Sequence, residues 1–286
     1  MSKTITKQVA EDFLEDPYID LNEYEAIDDD AAAVLASKKR DLRLAGLTSL
    51  SVTAATSLAK QKGDLFMEGL TSVDDEVAAA LGKHKGEYLS LAGLQELSAD
   101  SAASLAAYKG VLYLNGSPSL NIEGLPTLSD EAAEALSQKQ GRDVFIGAIS
   151  SLSDQAIASL AKLDGVLYLQ GLTSLSDEAA KALANHTGQL LLNGVTEISD
   201  EAIKALSAHA NQINLSGLTS LSDEAAEALA THKGEGQLDL SGVTKLSEKA
   251  AESLAGHDDL MLNDEIEELV KKYRPEEEED NWWEGD

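Results

Sequence analysis

Cysteine is absent from this 286-residue sequence, which excludes a disulfide framework, a thiolate nucleophile and any cysteine-based metal site. Aromatic residues are scarce too. They supply only 4% of the chain and proline occurs four times, so the 43% hydrophobic content is mostly aliphatic, as expected of many small, similar units rather than one large core. Cations are outnumbered, 22 Lys and Arg facing 51 Asp and Glu, for a net charge of -29. Such a charge repels polyphosphate backbones and anionic headgroups, so neither nucleic acid nor a membrane surface is an expected partner. No apolar run approaches the roughly 18 residues of a membrane span. The opening stretch MSKTITKQVAEDFLEDP has no signal-peptide core, and a cytoplasmic location is the expectation. Glycine-rich phosphate loops, nucleophile elbows and HExxH pairs are all missing, so no enzyme is expected.

What is present is a repeat. Taking the glycine after each short LxLx run as reference, copies fall at Gly46, Gly69, Gly93, Gly116, Gly171, Gly194, Gly217 and Gly242, with Ala148 standing in once. The spacings are 23, 24, 23, 32, 23, 23, 23 and 25, a period typical of solenoids. Before each reference lie alternating apolar pairs such as Leu167 and Leu169 or Leu190 and Leu192, the pattern of a strand with one buried face. After it come inward positions, Leu172 and Leu175 in one copy, Val195 and Ile198 in the next.

The segment SDEAAKALANHTG then reads as a helix. Ser176 is the expected N-cap, Asp177 and Glu178 suit the positive end of the dipole, and Gly188 is expected as a left-handed C-cap. Ala179, Ala180 and Leu183 form a thin apolar stripe that needs a neighbouring copy to bury it.

The stretch LYLQGLTSLSDEAAKAL, Leu167 to Leu183, resembles the cysteine-containing subtype of leucine-rich repeat. Leu172 takes the place of the Cys, Leu175 that of the Ile, and Ser176 and Asp177 those of the Thr-Asp pair. The likeness recurs in about ten units over residues 19–262, with Leu or Val throughout the Cys column and no leading Leu. It implies a right-handed α/β solenoid, with a parallel sheet on the concave face, short helices on the convex face, and a role in binding other macromolecules. On this reading residues 1–17 are an N-terminal capping helix bearing Val9, Phe13 and Leu14, and residues 18–263 are the solenoid. Residues 264–286 hold a closing helix, with Ile266, Leu269 and Val270 inward, and an acidic tail containing Trp282 and Trp283. At NGSPSLNIEG both Gly116 and Gly124 fit the reference place, so either a loop bulges out or Leu120 and Ile122 form a second strand.

The free positions carry the functional expectation. Three residues before the reference, pointing away from the core, stand Arg43, Phe66, Ser90, Tyr113, Phe145, Tyr168, Leu191, Asn214 and Asp239. Two of the three phenylalanines and two of the seven tyrosines lie in this one column. With strands about 4.8 Å apart, Phe66 to Leu191 would form an apolar ridge on the order of 25 Å long. A second outward column includes Asn115, Gln170 and Asn193. Rings flanked by amides suit a protein or peptide; a carbohydrate, or a second copy forming a structural homodimer through the same ridge, are the alternatives.

Two other columns have simpler explanations. All five histidines, His84, His186, His209, His232 and His257, fall fifteen residues after a reference, where the helix C-terminus accounts for them. The repeated acidic pairs sit at helix N-termini, and Thr173, Thr196, Thr219 and Thr244 belong to the turn. Neither a metal nor a cofactor is expected.

Overall fold

In the computed structural model, residues 3–16, 18–117, 122–139, 141 and 143–274 are described. Each turn of the chain contributes a short strand, a glycine turn, an extended segment and a helix of about two turns. One copy runs through the strand Leu167–Tyr168, the extended Ser174–Leu175 and the helix Asp177–Leu183. The next, 23 residues on, runs through Leu190–Leu191, Glu197–Ile198 and Asp200–Leu206. Strands pair in parallel with the equivalent residue of the next copy, Leu167 with Leu190 and Leu190 with Ile213. The result is an α/β solenoid with strands on one face and helices on the other.

The alternation in the sequence sorts the side chains as expected. Leu190, Leu192, Val195, Ala202 and Leu206 are fully buried, and the same columns are buried in copy after copy. The small alanines bring each helix close to the sheet. Ser176 caps its helix by accepting from the Ala179 N–H, and its hydroxyl donates to the Asp154 carboxylate of the preceding copy at 2.5 Å. Ser98 donates to Asp75 and Ser222 to Asp200, both at 2.6 Å, and Ser199 to Asp177. One hydroxyl therefore ends a helix and ties it to its neighbour.

The reference glycine is required by close approach. A Cβ on Gly194 would stand 1.8 Å from the Gln170 carbonyl oxygen, and one on Gly93 would stand 1.7 Å from that of Glu68. The expected left-handed cap at Gly188 is not formed. The helix ends at Leu183 with Ala184 still right-handed, and Gly188 is not among the glycines of positive φ. A Cβ there would lie 1.5 Å from the Gly165 carbonyl oxygen, so packing between copies excludes a side chain at that turn.

Three irregularities bear on the site. First, Asn115–Ser117 pairs antiparallel with Ile122–Gly124, so the extra residues form a hairpin and Gly124 resumes the register, with Leu125 and Leu128 buried behind it. Leu120 lies outside the described residues. Second, the parallel ladder comprises two five-stranded sheets, Leu42–Arg43 through Val144–Phe145 and Leu167–Tyr168 through Leu260–Met261. No strand pairing joins them among the described residues. Third, the N-terminal end is more than a helix: Thr4–Ile5 pairs in parallel with Ala26–Ile27 and buries Ile5. The helix Lys7–Glu15 follows, with Phe13 buried and Val9 and Leu14 packed on the core. The first copy makes a 3-10 turn at Leu21–Glu23 instead of a strand. At the other end Asp264–Lys271 buries Ile266 and Val270, with Leu269 packed beside them. Trp282 and Trp283 lie outside the described residues.

Candidate functional site

On the sheet face, away from the helices, the outward column keeps register. Arg43 pairs with Phe66, Phe66 with Ser90, Ser90 with Tyr113 and Tyr113 with Phe145. Beyond the break in the ladder, Tyr168 pairs with Leu191 and Leu191 with Asn214. The rings bridge that break: Tyr113 and Phe145 stack with centroids 4.5 Å apart, and Phe145 and Tyr168 at 4.1 Å. Each of the three is half-buried, covered on its flanks by its neighbours and open at its outer edge.

The run is shorter than its sequence implied. The buried Ser90 separates Phe66 from the others, and Phe66 lies under the Arg43 guanidinium, 4.8 Å from its centroid. Tyr88, which lies outside the column three residues before the glycine, joins instead, its ring 6.2 Å from Tyr113. Parity contained the signal, since Tyr88 stands two residues before Ser90 and so shares its face. Leu191 extends the run, and Asn214 ends it by donating to the Asp239 carboxylate at 2.8 Å. Burial, followed by the neighbouring Tyr88 and Asp143, holds the Tyr113 phenol above its ordinary pKa. Burial, followed by Asp143 and Tyr113, does the same for Tyr168. Both hydroxyls are therefore neutral hydrogen-bond donors at physiological pH.

The second column is less uniform than its spacing suggests. Ala92, which precedes Gly93 as Gln170 precedes Gly171, is buried, Gln170 is half-buried with its amide oxygen over Gly147, and Asn193 is exposed. Asn115 opens the hairpin at the end of the Val111–Tyr113 strand. Its side-chain oxygen is buried and unpartnered among the described residues.

The histidines belong to a different, interior column, in which Gln61, His84, Tyr108, Lys139, Leu163, His186, His209, His232 and His257 are all buried. Several of its polar members satisfy the backbone of the turn before the strand, whereas both ring nitrogens of His257 are buried without a partner among the described residues. Gln61 donates to the Gly63 carbonyl at 2.8 Å, Tyr108 to that of Gly86 at 3.1 Å, and Lys139 to those of Tyr108 and Gly110 at 2.9 Å. His186 contacts the Ala161 and Gly165 carbonyls, and His209 that of Gly188. The carbonyls belong to the preceding copy's turns rather than to the histidine's own helix end. His186 stacks on His209 at 6.2 Å and His232 on His257 at 5.9 Å. Burial lowers the pKa of His84, His209 and His257, and brings that of Lys139 down to about 8. Among the described residues no three metal-ligating side chains converge, and no helix is long and apolar enough to cross a membrane.

No protein-family profile matches the chain, and no curated protein matches its sequence. Solved structures similar to it include a chain of the Toll–Spatzle complex of Drosophila, at 13% identity over 91% of this chain and a TM-score of 0.45. A chain of the TLR13–ssRNA13 complex is 18% identical over 81% of this one, with a TM-score of 0.47. The chain spans 41% and 37% of the length of these two. A chain of the Rad7 and Elc1 complex of yeast is similar at 16% identity over 90% of this chain and 86% of that one, with a TM-score of 0.34. At such identities and scores these likenesses say nothing of a shared ligand.

Proposed function

We propose that this leucine-rich-repeat-like solenoid is a non-catalytic scaffold that binds a protein or peptide segment along the aromatic run of its sheet face. The observation that carries this reading is the stack Tyr113–Phe145–Tyr168, half-buried on the sheet face, opposite the described helices. Rings held by one another lose little side-chain freedom on binding, and their open edges offer apolar area beside phenolic donors. Cross-strand stacking alone would stiffen the sheet. It would not call for a continuous aromatic edge facing water, whereas a contact surface does. Gln170 and Asn193 flank the run with groups that suit a peptide backbone.

A random-peptide library selected on the wild-type protein and counter-selected on the Tyr113→Ala, Phe145→Ala, Tyr168→Ala variant tests this. Recovered peptides should bind the wild type and lose about tenfold or more in affinity for the variant. The variant should remain folded, with a loss of about 1–3 kcal/mol from the missing stacking. Peptides that bind both proteins equally would remove the run from the function. A signal on a glycan array instead would turn the reading toward carbohydrate, and loss of a dimer in light scattering would turn it toward self-assembly through this face.

A further inference from the structure

The turns that lead from helix to strand change charge halfway along the molecule. In the segments 38–41, 60–64, 83–87 and 109–110, eight cations stand beside three carboxylates. In the five later turns, 162–165, 185–188, 208–211, 231–235 and 256–259, two cations stand beside four carboxylates. Cations are favoured near a helix C-terminus, but the later helices are as long, end likewise on Leu with Ala or Ser as C-cap, and only the first is followed directly by a lysine, Lys162. The helix dipole therefore does not account for the early cluster.

Its geometry is a row. Lys39, Lys62, Lys85 and Lys109 hold equivalent places in successive copies, all exposed, along an open groove of about 660 Å³ floored by Gly63 and Gly86. Strand spacing places consecutive members about 5 Å apart at their backbones, inside the roughly 8 Å screening length of physiological salt. Among the described residues Lys39, Lys62 and Lys85 make no ion pair. Three carboxylates also line the groove, against four lysines: Asp41 accepts from the Asp64 N–H at 2.9 Å, Asp64 accepts from those of Glu87 and Tyr88 at 3.0 Å, and Glu87 is partnered as well. In a chain of net charge -29, a concentrated line of ammonium groups is where an extended run of carboxylates would be held.

The sequence contains such a run, Glu276 to Asp280. It follows Arg274 by two to six residues, a reach of at most about 7–20 Å. From the last strand, Leu260–Met261, back to Tyr88–Ser90 is seven strand steps, about 34 Å. A copy's own acidic run therefore falls short of its Lys85, and a second copy must supply it. We propose that the lysine groove at the N-terminal half of one copy docks the acidic segment Glu276–Asp280 of another, joining copies head to tail. Repulsion between two acidic bodies is screened beyond the Debye length, while the docked charges are in contact. The association is accordingly weak and salt-sensitive.

Sedimentation of the full chain over a range of concentrations tests this at low and high salt. The wild type should self-associate at low salt and dissociate at high salt. Lys39→Glu, Lys62→Glu, Lys85→Glu should weaken association about tenfold or more, as should neutralising the run with Glu276→Gln through Glu279→Gln. Mixing the two variants should restore a one-to-one complex, because one supplies an intact acidic run and the other an intact groove. The Tyr113, Phe145 and Tyr168 alanine variant should self-associate normally, which separates this proposal from the aromatic run. A wild type that stays monomeric at low salt, association untouched by the lysine changes, or mixed variants that fail to pair would overturn it. So would a groove that binds single-stranded nucleic acid but not a synthetic peptide of residues 274–286.

Discussion

At the scale of single residues, the repeat is held by positions that admit one side-chain size or one polar group. Gly194 shows the first kind, because a carbonyl from the preceding copy occupies the space a Cβ would need. Gly194→Ala should cost about 2–3 kcal/mol or more in chemical denaturation. Gly256, exposed with nothing within 4 Å of its would-be Cβ, is the control. Gly256→Ala should leave stability unchanged or raise it by about 0.4–1 kcal/mol through a stiffer unfolded chain. Equal losses at both sites would mean that glycine serves chain flexibility here. Lys139 shows the second kind, an ammonium in a column otherwise filled by Gln, Tyr, Leu and His, donating to two carbonyls. It also shows what periodicity alone left open. Counting fifteen residues back from it gives Gly124, the glycine that resumes the register after the hairpin, although lysine in a histidine column carried no such signal by itself.

Among elements, the serine that starts most of the repeat helices, Ser199 for one, links local and long-range order. Its hydroxyl accepts from its own helix and donates to the aspartate that opens the preceding one. Ser199→Ala should therefore lower stability by about 1–2 kcal/mol, toward the upper end of the range for N-caps. Ser199→Thr keeps the hydroxyl and should recover most of the loss in thermal melts. Helix positions were legible because capping, first-turn acids and the alanine stripe are local signals. The interruption of the strand ladder between Phe145 and Tyr168 was not, since it depends on how two copies meet rather than on neighbours along the chain. For the same reason the shortened aromatic run was only partly legible. The shared column could be counted, whereas the cover of Phe66 by Arg43 and the arrival of Tyr88 required neighbouring strands.

For the whole molecule, the buried histidines make stability depend on pH. Burial depresses His84, His209 and His257, so their folded pKa values lie below the unfolded value of 6.5. The unfolded chain then binds more protons as pH falls, and the stability they contribute, intact above pH 6.5, is lost as pH falls through the folded values. The thermal midpoint should drop between pH 7 and pH 5. Replacing the three with glutamine, the residue that fills the same column at Gln61, should flatten that drop while leaving the midpoint at pH 7 close to wild type. An unchanged slope would overturn this assignment, because carboxylates such as Asp75, which the Ser98 and Ser101 hydroxyls hold below the usual range, titrate below that window.

The sequence alone determined the period, the strand and helix within it, the buried columns and the single column that gathers aromatic rings. These follow from alternation, capping and spacing, which are properties of neighbouring residues along the chain. Only the tertiary structure decided which rings touch, which lysines line one groove, and where the sheet ladder parts. Those outcomes depend on contacts between copies 23 or more residues apart, where backbone approach and side-chain cover act across strands rather than along them.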